Sequence, residues 1–399
     1  MTVALHPPLV SIAIINWNYA DFVVDAIQSV KEQTYPHIEC VILDNGSTDG
    51  SLKKIEAAIA DDERFTLYSV PENLGHLGGG LWLLRHLKGE LVTFLDADDI
   101  LLPDFVTYHV QAHLGARHAT GFTSSSFLNV DARKVIRTGN SGIIAMRWPL
   151  TRRTIVGDDV PRVAGISDSS FQKLRQATRY SPADLRNWGW SQGSSNMFRR
   201  SLLERLIPKD LPKAIFGGID GYFCPLMNAI TGSVLINIPL SLYRIHGSND
   251  YTAIEGLFGI RPGTAEGEEQ GDRILLLALS FLIADLDRAL ITIPAERYWG
   301  VLDTTASTSK HAHFLQHPVV KELLVQNFYQ LCQAFGRRAT VHALKSRMRF
   351  WDLLAIVIRG NRGLPSWTEI RISLGLSRRY IRRLGQSLRA ETTSLRGDA

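Results

Sequence analysis

The run Leu91-Val92-Thr93-Phe94-Leu95, followed at once by Asp96-Ala97-Asp98-Asp99, restricts the fold more than any other stretch of the chain. A short apolar run of this kind reads as a strand buried on both faces, as in the middle of a parallel sheet. Three carboxylates leaving its C-terminal end sit where open α/β sheets bind their ligands. Crowded carboxylates repel one another unless they are protonated or neutralised, and a hard divalent cation with phosphate oxygens is the usual reason to build such a cluster. The competing reading is a turn in which Asp99 caps the segment after it. Asp96 and Asp98 together exceed what a cap needs.

The rest of the first half repeats the strand-then-loop pattern. Leu9 to Ile15 is a first strand, stopping at Asn16-Trp17-Asn18, with Asp21 as cap of a helix whose apolar residues Phe22, Val23, Ala26, Ile27 and Val30 fall at helical spacing. Cys40 to Leu43 is a second strand, leading through Asp44-Asn45-Gly46-Ser47-Thr48-Asp49-Gly50 into a helix from Ser51 to Ala60. Phe65 to Val70 is a third, followed by Glu72-Asn73-Leu74-Gly75 and a helix to Lys88. Strands alternating with helices predict an α/β fold with a doubly wound, mostly parallel sheet. Because each strand ends in Asn, Asp or Gly, small polar groups collect at one edge, which is how a nucleotide pocket is assembled. Ser47 to Asp49 reads as an Asx turn and cap. Gly78-Gly79-Gly80 lacks the spacing of a dinucleotide fingerprint and reads as a helix entry allowing close backbone approach.

From Phe122 to Arg200 the periodicity weakens into Ser/Thr-rich pieces and Trp188-Gly189-Trp190. Helices are predicted at Arg200 to Leu206 and Tyr222 to Ile230, and a strand at Val234 to Ile238. Gly263 to Gly271 reads as a linker, and helical patterns follow at Ile274 to Leu290, Val319 to Phe335 and Thr340 to Ile358. The three cysteines are scattered and odd in number, which suits a reducing compartment. Met1 to Pro8 lacks a signal-peptide pattern, and the longest apolar run, Ile274 to Ala284, is too short to span a bilayer, so a cytoplasmic protein is expected. Net charge is +5, yet the segment from Arg337 onward carries 14 Lys/Arg against 4 Asp/Glu, which leaves the first 336 residues at −5.

Taken together, the segments Val10-Ser11-Ile12 through Asn18, Asp44 to Gly50, Glu72 to Gly75, Gly89-Glu90 into Asp99, and Tyr243-Arg244-Ile245-His246-Gly247-Ser248-Asn249 resemble an inverting glycosyltransferase of family 2, with the GT-A-type fold. The order and spacing of these segments carry the resemblance, which covers roughly residues 1–250. It leaves 251–271 as a linker and 272–399 as a smaller, all-α, basic region. It implies nucleotide binding by Asn16, Asp44, Asn45, Asn73 and Asp96, a divalent metal (Mg or Mn) held by Asp98 with His246, and Asp220 as catalytic base. Each role has a plainer rival: His246 as a hydrogen-bonded loop residue, and Asp220 as a cap of the Tyr222 helix. Trp188 and Trp190 either stack on acceptor sugar faces or fill the core.

Where the family often has a second Asp, this chain has Asn45, which keeps deoxythymidine donors beside UDP-sugars. The family's Glu-Asp at the base position is here Ile219-Asp220. The QxxRW segment of processive synthases is absent, so a single sugar addition is expected, onto a saccharide or lipid-linked acceptor in polysaccharide biosynthesis. The rival functions are a metal-dependent phosphohydrolase and a nucleotide-sugar-binding protein without catalysis. At the C-terminus, Arg378, Arg379, Arg382 and Arg383 lie at helical spacing beside Ile372, Leu376, Tyr380, Ile381 and Leu384. Such a helix either rests peripherally on an anionic membrane or forms a solvated face or dimer contact. No nucleic-acid module is recognisable.

Overall fold

Two apolar strands with no exposed residue between Val10 and Ile15 or between Leu91 and Leu95 lie side by side and set the direction of the sheet. The computed structural model describes residues 6–118, 120–141, 156–157, 160–163, 165–186, 188–247, 249, 265–308 and 314–360. In chain order the elements are β1 (Val10–Asn16), α1 (Val23–Lys31), β2 (Ile38–Asn45), α2 (Ser51–Ile59), β3 (Phe65–Val70), α3 (His76–Leu84), β4 (Leu91–Asp96), β5 (Ile100–Leu101), α4 (Phe105–Gly115), β6 (Phe122–Asp131) and β7 (Ile136–Ser141). There follow α5 (Asp168–Ala177), β8 (Thr178–Ser181), β9 (Asn196–Arg199), α6 (Arg200–Arg205), α7 (Ile219–Thr231) and β10 (Ser233–Ile245). The last six are α8 (Ala265–Ala284), α9 (Leu286–Thr292), α10 (Tyr298–Ala306), α11 (Pro318–Phe335), α12 (Arg337–Lys345) and α13 (Phe350–Arg359).

The sheet runs β3-β2-β1-β4-β9-β6-β10-β5, with β7 beside β6 and β8 beside β10. The long ladders β3–β2, β2–β1, β1–β4 and β6–β10 are parallel, and the shorter pairings are antiparallel. Side chains alternate across a strand, so β1 serves two cores. Val10, Ile12 and Ile14 share one with Val23, Ala26 and Ile27 of α1 and Val106 and Val110 of α4. On the other face, a Cβ built on Gly79 of α3 would lie 3.0 Å from Ile15 Cγ2, and one on Gly80 only 2.4 Å from Ile219 Cδ1. The glycine run therefore lets α3 close on both Ile15 of the sheet and Ile219 at the start of α7.

Two compact units divide the chain, one of residues 1–278 and 300–310, the other of 279–299 and 311–399. In the described part of the second, α11, α12 and α13 bury Val320, Leu324, Phe328, Val341, Leu344, Leu353 and Ile356. Gly336, at φ +80, ends α11.

Several expectations need correction. Asp21 does not cap α1: Phe22 stands at the cap position without a side-chain bond, and Asp21 is exposed near Lys54. Helix α8 begins at Ala265, inside the stretch read as a linker, because its glycines are outweighed by strong helix formers. The pattern from Thr340 to Ile358 is two helices, broken at 346–349. Strand β10 is much longer than Val234 to Ile238, and β6, a buried central strand, hides under the sequence Phe-Thr-Ser-Ser-Ser. No helix among the described residues is long and apolar enough to cross a membrane. The arginines at 378, 379, 382 and 383 lie outside the described residues.

Candidate active site

Strand β4 ends at Asp96, and the turn after it brings Asp98 and Asp99 into protein-packed positions, 7% and 1% exposed. Three carboxylates in four residues need counter-charge, and β10 supplies much of it from 145 residues further along the chain. Arg244, itself 1% exposed, donates its backbone N to Asp99 Oδ1 (3.0 Å) and its Nε to the Asp98 carbonyl (2.8 Å). Its Nη2 reaches Asp25 Oδ2 on α1 at 2.8 Å, with the guanidinium 4.8 Å over the Phe22 ring. Two residues on, His246 Nε2 lies 3.0 Å from Asp98 Oδ2. The imidazole is steadied by Phe22, at 4.8 Å between ring centroids, and by Tyr19, edge-on at 5.6 Å. Asn249 reaches the same Asp98 oxygen at 3.4 Å while its Oδ1 accepts the His246 N–H at 3.0 Å.

The remaining negative charge is felt in the proton affinities. Burial, opposed by the His246 hydrogen bond and reinforced by Asp96, raises the Asp98 carboxyl above the ordinary range. Burial, with Asp98 and Asp96 adding, lifts Asp99 well above it. Among the described residues Asp99 Oδ2 is buried without a hydrogen-bond partner. Such a cluster is over-supplied with carboxylate oxygen and fits a hard or borderline divalent cation. Among the described residues no three His, Cys, Asp or Glu side chains are arranged to hold a metal by themselves. The donors that fit are the Asp98 carboxylate and the His246 imidazole.

Asp220 stands in the first turn of α7, its Oδ1 accepting the Gly221 N–H at 2.9 Å. It does not precede the helix as a cap, because α7 starts at Ile219 and Gly218 is the cap residue. Burial, with Asp96 adding and His76 opposing, pushes its carboxyl up to about 6. That value suits a group that must accept a proton near neutrality.

His76 is the residue the sequence reading passed over. Opening α3 directly after Gly75, it sets Nε2 2.8 Å from Asp96 Oδ1. Burial works against a charge on this ring, yet Asp96, with Asp220 and Asp98 behind it, raises its proton affinity above that of a free histidine. Its signal was available: a histidine immediately after Asn73-Leu74-Gly75, on a loop at the same sheet edge as the carboxylates. Ser194 was also missed; its Oγ accepts the Asp96 N–H at 3.1 Å. Gly193 lies close enough that a Cβ there would stand 3.5 Å from Asp96 Oδ2.

At the neighbouring strand ends, Asn16 Nδ2 donates to Asp44 Oδ1 and Ser47 Oγ, both at 3.1 Å, and its buried Oδ1 has no partner among the described residues. Asp44 Oδ2 lies 3.4 Å from Ser69 Oγ. Asn45 and Asn73 turn towards each other, Nδ2 to Oδ1 at 3.0 Å. The two tryptophans differ in their exposure. Trp190 is a core residue, 2% exposed, edge-on to Phe122 with its Nε1 donating to Ser233 Oγ at 2.9 Å, so no sugar can reach its face. Trp188 is half-buried, with its Nε1 spent on the Trp190 carbonyl at 2.8 Å.

Residues 11–175 match the sequence profile described as Glycosyl transferase family 2. Among curated proteins, the chain is 32% identical over 124 residues to TuaG of Bacillus subtilis, a glycosyltransferase whose name carries a provisional assignment to teichuronic acid biosynthesis; the match covers 31% of this chain and 49% of TuaG. It is 28% identical over 246 residues to an uncharacterized glycosyltransferase of Nostoc sp., covering 61% of this chain and 66% of that protein. The teichoic acid poly(glycerol phosphate) polymerase of Staphylococcus epidermidis is 28% identical over 102 residues, 25% of this chain and 14% of the polymerase. The chain thus spans from a small fraction to about two thirds of these relatives. Among solved structures, residues 1–349 of S. aureus TarS in complex with UDP overlay with a TM-score of 0.47 at 12% identity, over 88% of this chain and 83% of that one. A mannosyltransferase of Pyrobaculum calidifontis, solved with GDP-Man and Mn2+, gives 0.40 at 18% identity, over 92% and 85%.

Proposed function

Residues 11–175 form a family 2 glycosyltransferase domain, and on that footing we propose that the protein transfers one sugar, with inversion, from a UDP- or dTDP-sugar to a saccharide or lipid-linked acceptor. The observation that carries this reading is that Asp220 feels the charges of both Asp96 and His76 while His246 Nε2 lies 3.0 Å from Asp98, although Asp220 and His246 lie far along the chain from β4. A carboxyl with an affinity near 6 is mostly ionised at pH 7 and still basic enough to take a proton from a sugar hydroxyl as that hydroxyl attacks. The attack forms one bond at the anomeric carbon and breaks the bond to the diphosphate oxygen; the hydroxyl proton passes to Asp220 Oδ. A single carboxylate suffices for one displacement, hence inversion.

On the leaving-group side, Asp98 and His246 would hold a divalent metal, which when bound supplies positive charge to the departing diphosphate. Mg2+ and Mn2+ accept such a mixed oxygen and imidazole set and take their remaining ligands from phosphate and water. Asp96 faces the nucleoside, with Asn16 and Asp44 at the adjoining strand ends. The names of the relatives support a place in cell-envelope polysaccharide assembly.

The test is a panel of UDP-glucose, UDP-GlcNAc, dTDP-rhamnose and GDP-mannose, each with Mn2+, read by mass spectrometry for donor hydrolysis and transfer. Expected is turnover of a UDP- or dTDP-sugar that Asp220→Asn lowers by about 10²–10⁴-fold while UDP or dTDP binding persists. Binding with no turnover of any donor would make the protein a nucleotide-sugar binder instead. Thermal shift with UDP or dTDP plus Mn2+ should lose its metal-dependent part in Asp98→Asn; an unchanged shift would remove the metal assignment.

A further inference from the structure

Asn45, the last residue of β2, is 1% exposed and has little left to offer a ligand. An amide side chain has two N–H donors. Both are used within the chain: Asn45 Nδ2 donates to Asn73 Oδ1 at 3.0 Å and to the Gly75 carbonyl at 3.2 Å. Its Oδ1 accepts the Leu74 N–H at 3.0 Å, and Asn73 Oδ1 also accepts the Gly75 N–H at 2.8 Å. The two asparagines therefore act as a template on which the turn 73–75 is laid.

That turn is sewn to the segment leading into α7. Ile215 N donates to the Leu74 carbonyl at 2.7 Å, Gly78 N to the Ile215 carbonyl at 3.2 Å, and Leu77 N to the Gly217 carbonyl at 3.2 Å. At Gly75, φ is +74 and a Cβ would meet Ile215 O at 2.3 Å, so the two backbones touch with no side chain between them. Asp220 follows three residues after Gly217, and His76 opens α3 immediately after Gly75.

We propose that Asn45, assisted by Asn73, is a positioning residue for the reaction: it shapes the 73–75 turn, and the backbone bonds from that turn to 215–217 set where Asp220 stands relative to His76 and Asp96. The proposal rests on Asp220 as the base, and it separates Asn45 from direct nucleobase recognition. A side chain that holds a turn affects turnover more than ligand affinity. One that reads the base does the reverse.

The variants are Asn45→Ala, Asn45→Asp and Asn73→Ala in the full chain. Asn45→Asp keeps the size and the acceptor for Leu74 N but loses both donors. Hydrogen exchange by mass spectrometry, which needs no turnover, should accelerate about tenfold or more in peptides covering 213–222. In wild type, the amides of Leu74 and Ile215 should share similar protection. Affinity for UDP and dTDP with Mn2+ should change less than about threefold, whereas kcat on the donor that the panel identifies should fall about 10–100-fold with KM little altered. The acid limb of the pH profile, set by Asp220, should move with kcat. Nucleotide affinity lost tenfold with kcat and 213–222 exchange unchanged would overturn the proposal and make Asn45 a base contact. An Ile215 amide far less protected than Leu74 in wild type would overturn it without any variant. Absence of turnover in wild type would instead count against the glycosyltransferase reading, and the exchange measurements would still judge the relay.

Discussion

Asp220 illustrates what a buried carboxylate costs the fold. Its affinity is 3.8 in the unfolded chain and about 6 when folded, so the folded state holds the proton more tightly. A raised value of this sign means stability fully present below pH 3.8 and lost as pH rises through about 6. By that difference the charged form costs the native state at most about 3 kcal/mol at neutral pH. Asp220→Asn removes the charge and keeps an oxygen for Gly221 N, so it should raise Tm at pH 7 to 8, with the gain shrinking towards pH 4, while turnover collapses. Calorimetry from pH 4 to 8 checks this; a gain independent of pH would sink it. In wild type, kcat/KM should fall below about pH 6 as the base becomes protonated. Asp96 and Asp98 are legible as candidates because they leave the end of an apolar strand, and Asp220 and His246 because their loops fit the family resemblance. His76 carried only the weak signal of following Asn73-Leu74-Gly75, because its facing of Asp96 across the sheet edge is a relation no local spacing encodes. Arg244 was visible only as a neighbour of His246, and its bonds to Asp25 and Asp98 cross more than a hundred residues.

At the level of elements, the parallel half of the sheet was legible because β1, β2 and β4 are continuous apolar runs. Helix α4 and strand β6 were not. Ten of the eleven residues of α4 are buried, so it has no polar face for a helical period to reveal. Its polar side chains are used internally: Gln111 Oε1 accepts Val163 N at 2.9 Å, and His113 Nε2 donates to the Met197 carbonyl at 3.0 Å. Strand β6 is disguised the same way, with Ser124 Oγ accepting Ser191 N at 3.0 Å and Ser125 O accepting Ser191 Oγ at 2.5 Å. The histidines of α4 make the fold acid-sensitive. Burial, with Arg199 adding, holds His113 down to about 3, and burial holds His109 well below its ordinary value. Values depressed on folding mean stability present above about 6.5, the unfolded value, and lost as pH falls from there towards about 3. His113→Gln keeps a donor for Met197 O and cannot bind a proton. Relative to its own stability at pH 8, it should therefore lose about 2 kcal/mol less than wild type by pH 5. Urea titrations at the two pH values measure this, and parallel losses in both proteins would exclude His113 as a source of acid lability.

On the scale of the whole molecule, charge is the property most unevenly shared. Residues from Arg337 onward carry 14 Lys/Arg against 4 Asp/Glu, while the first 336 residues, which hold the candidate site, sum to −5. A basic segment near an anionic bilayer gains about 1 kcal/mol per Lys or Arg, an attraction that fades within a Debye length and is screened by salt. The four arginines at 378, 379, 382 and 383 would then supply about 4 kcal/mol, about half of what binding at micromolar protein requires, the remainder falling to apolar neighbours such as Leu376 and Ile381. An acceptor carried on a lipid would be presented at that surface, so the charge asymmetry would bring enzyme and acceptor together without burying the acidic body. The full chain should co-float with vesicles containing about 30% anionic lipid at low salt and be released near 0.5 M NaCl. Replacing Arg378, Arg379, Arg382 and Arg383 together by Gln should abolish flotation and leave hydrolysis of a water-soluble donor unchanged. Flotation with neutral vesicles, or undiminished flotation of the fourfold variant, would mean that this segment is not the membrane contact.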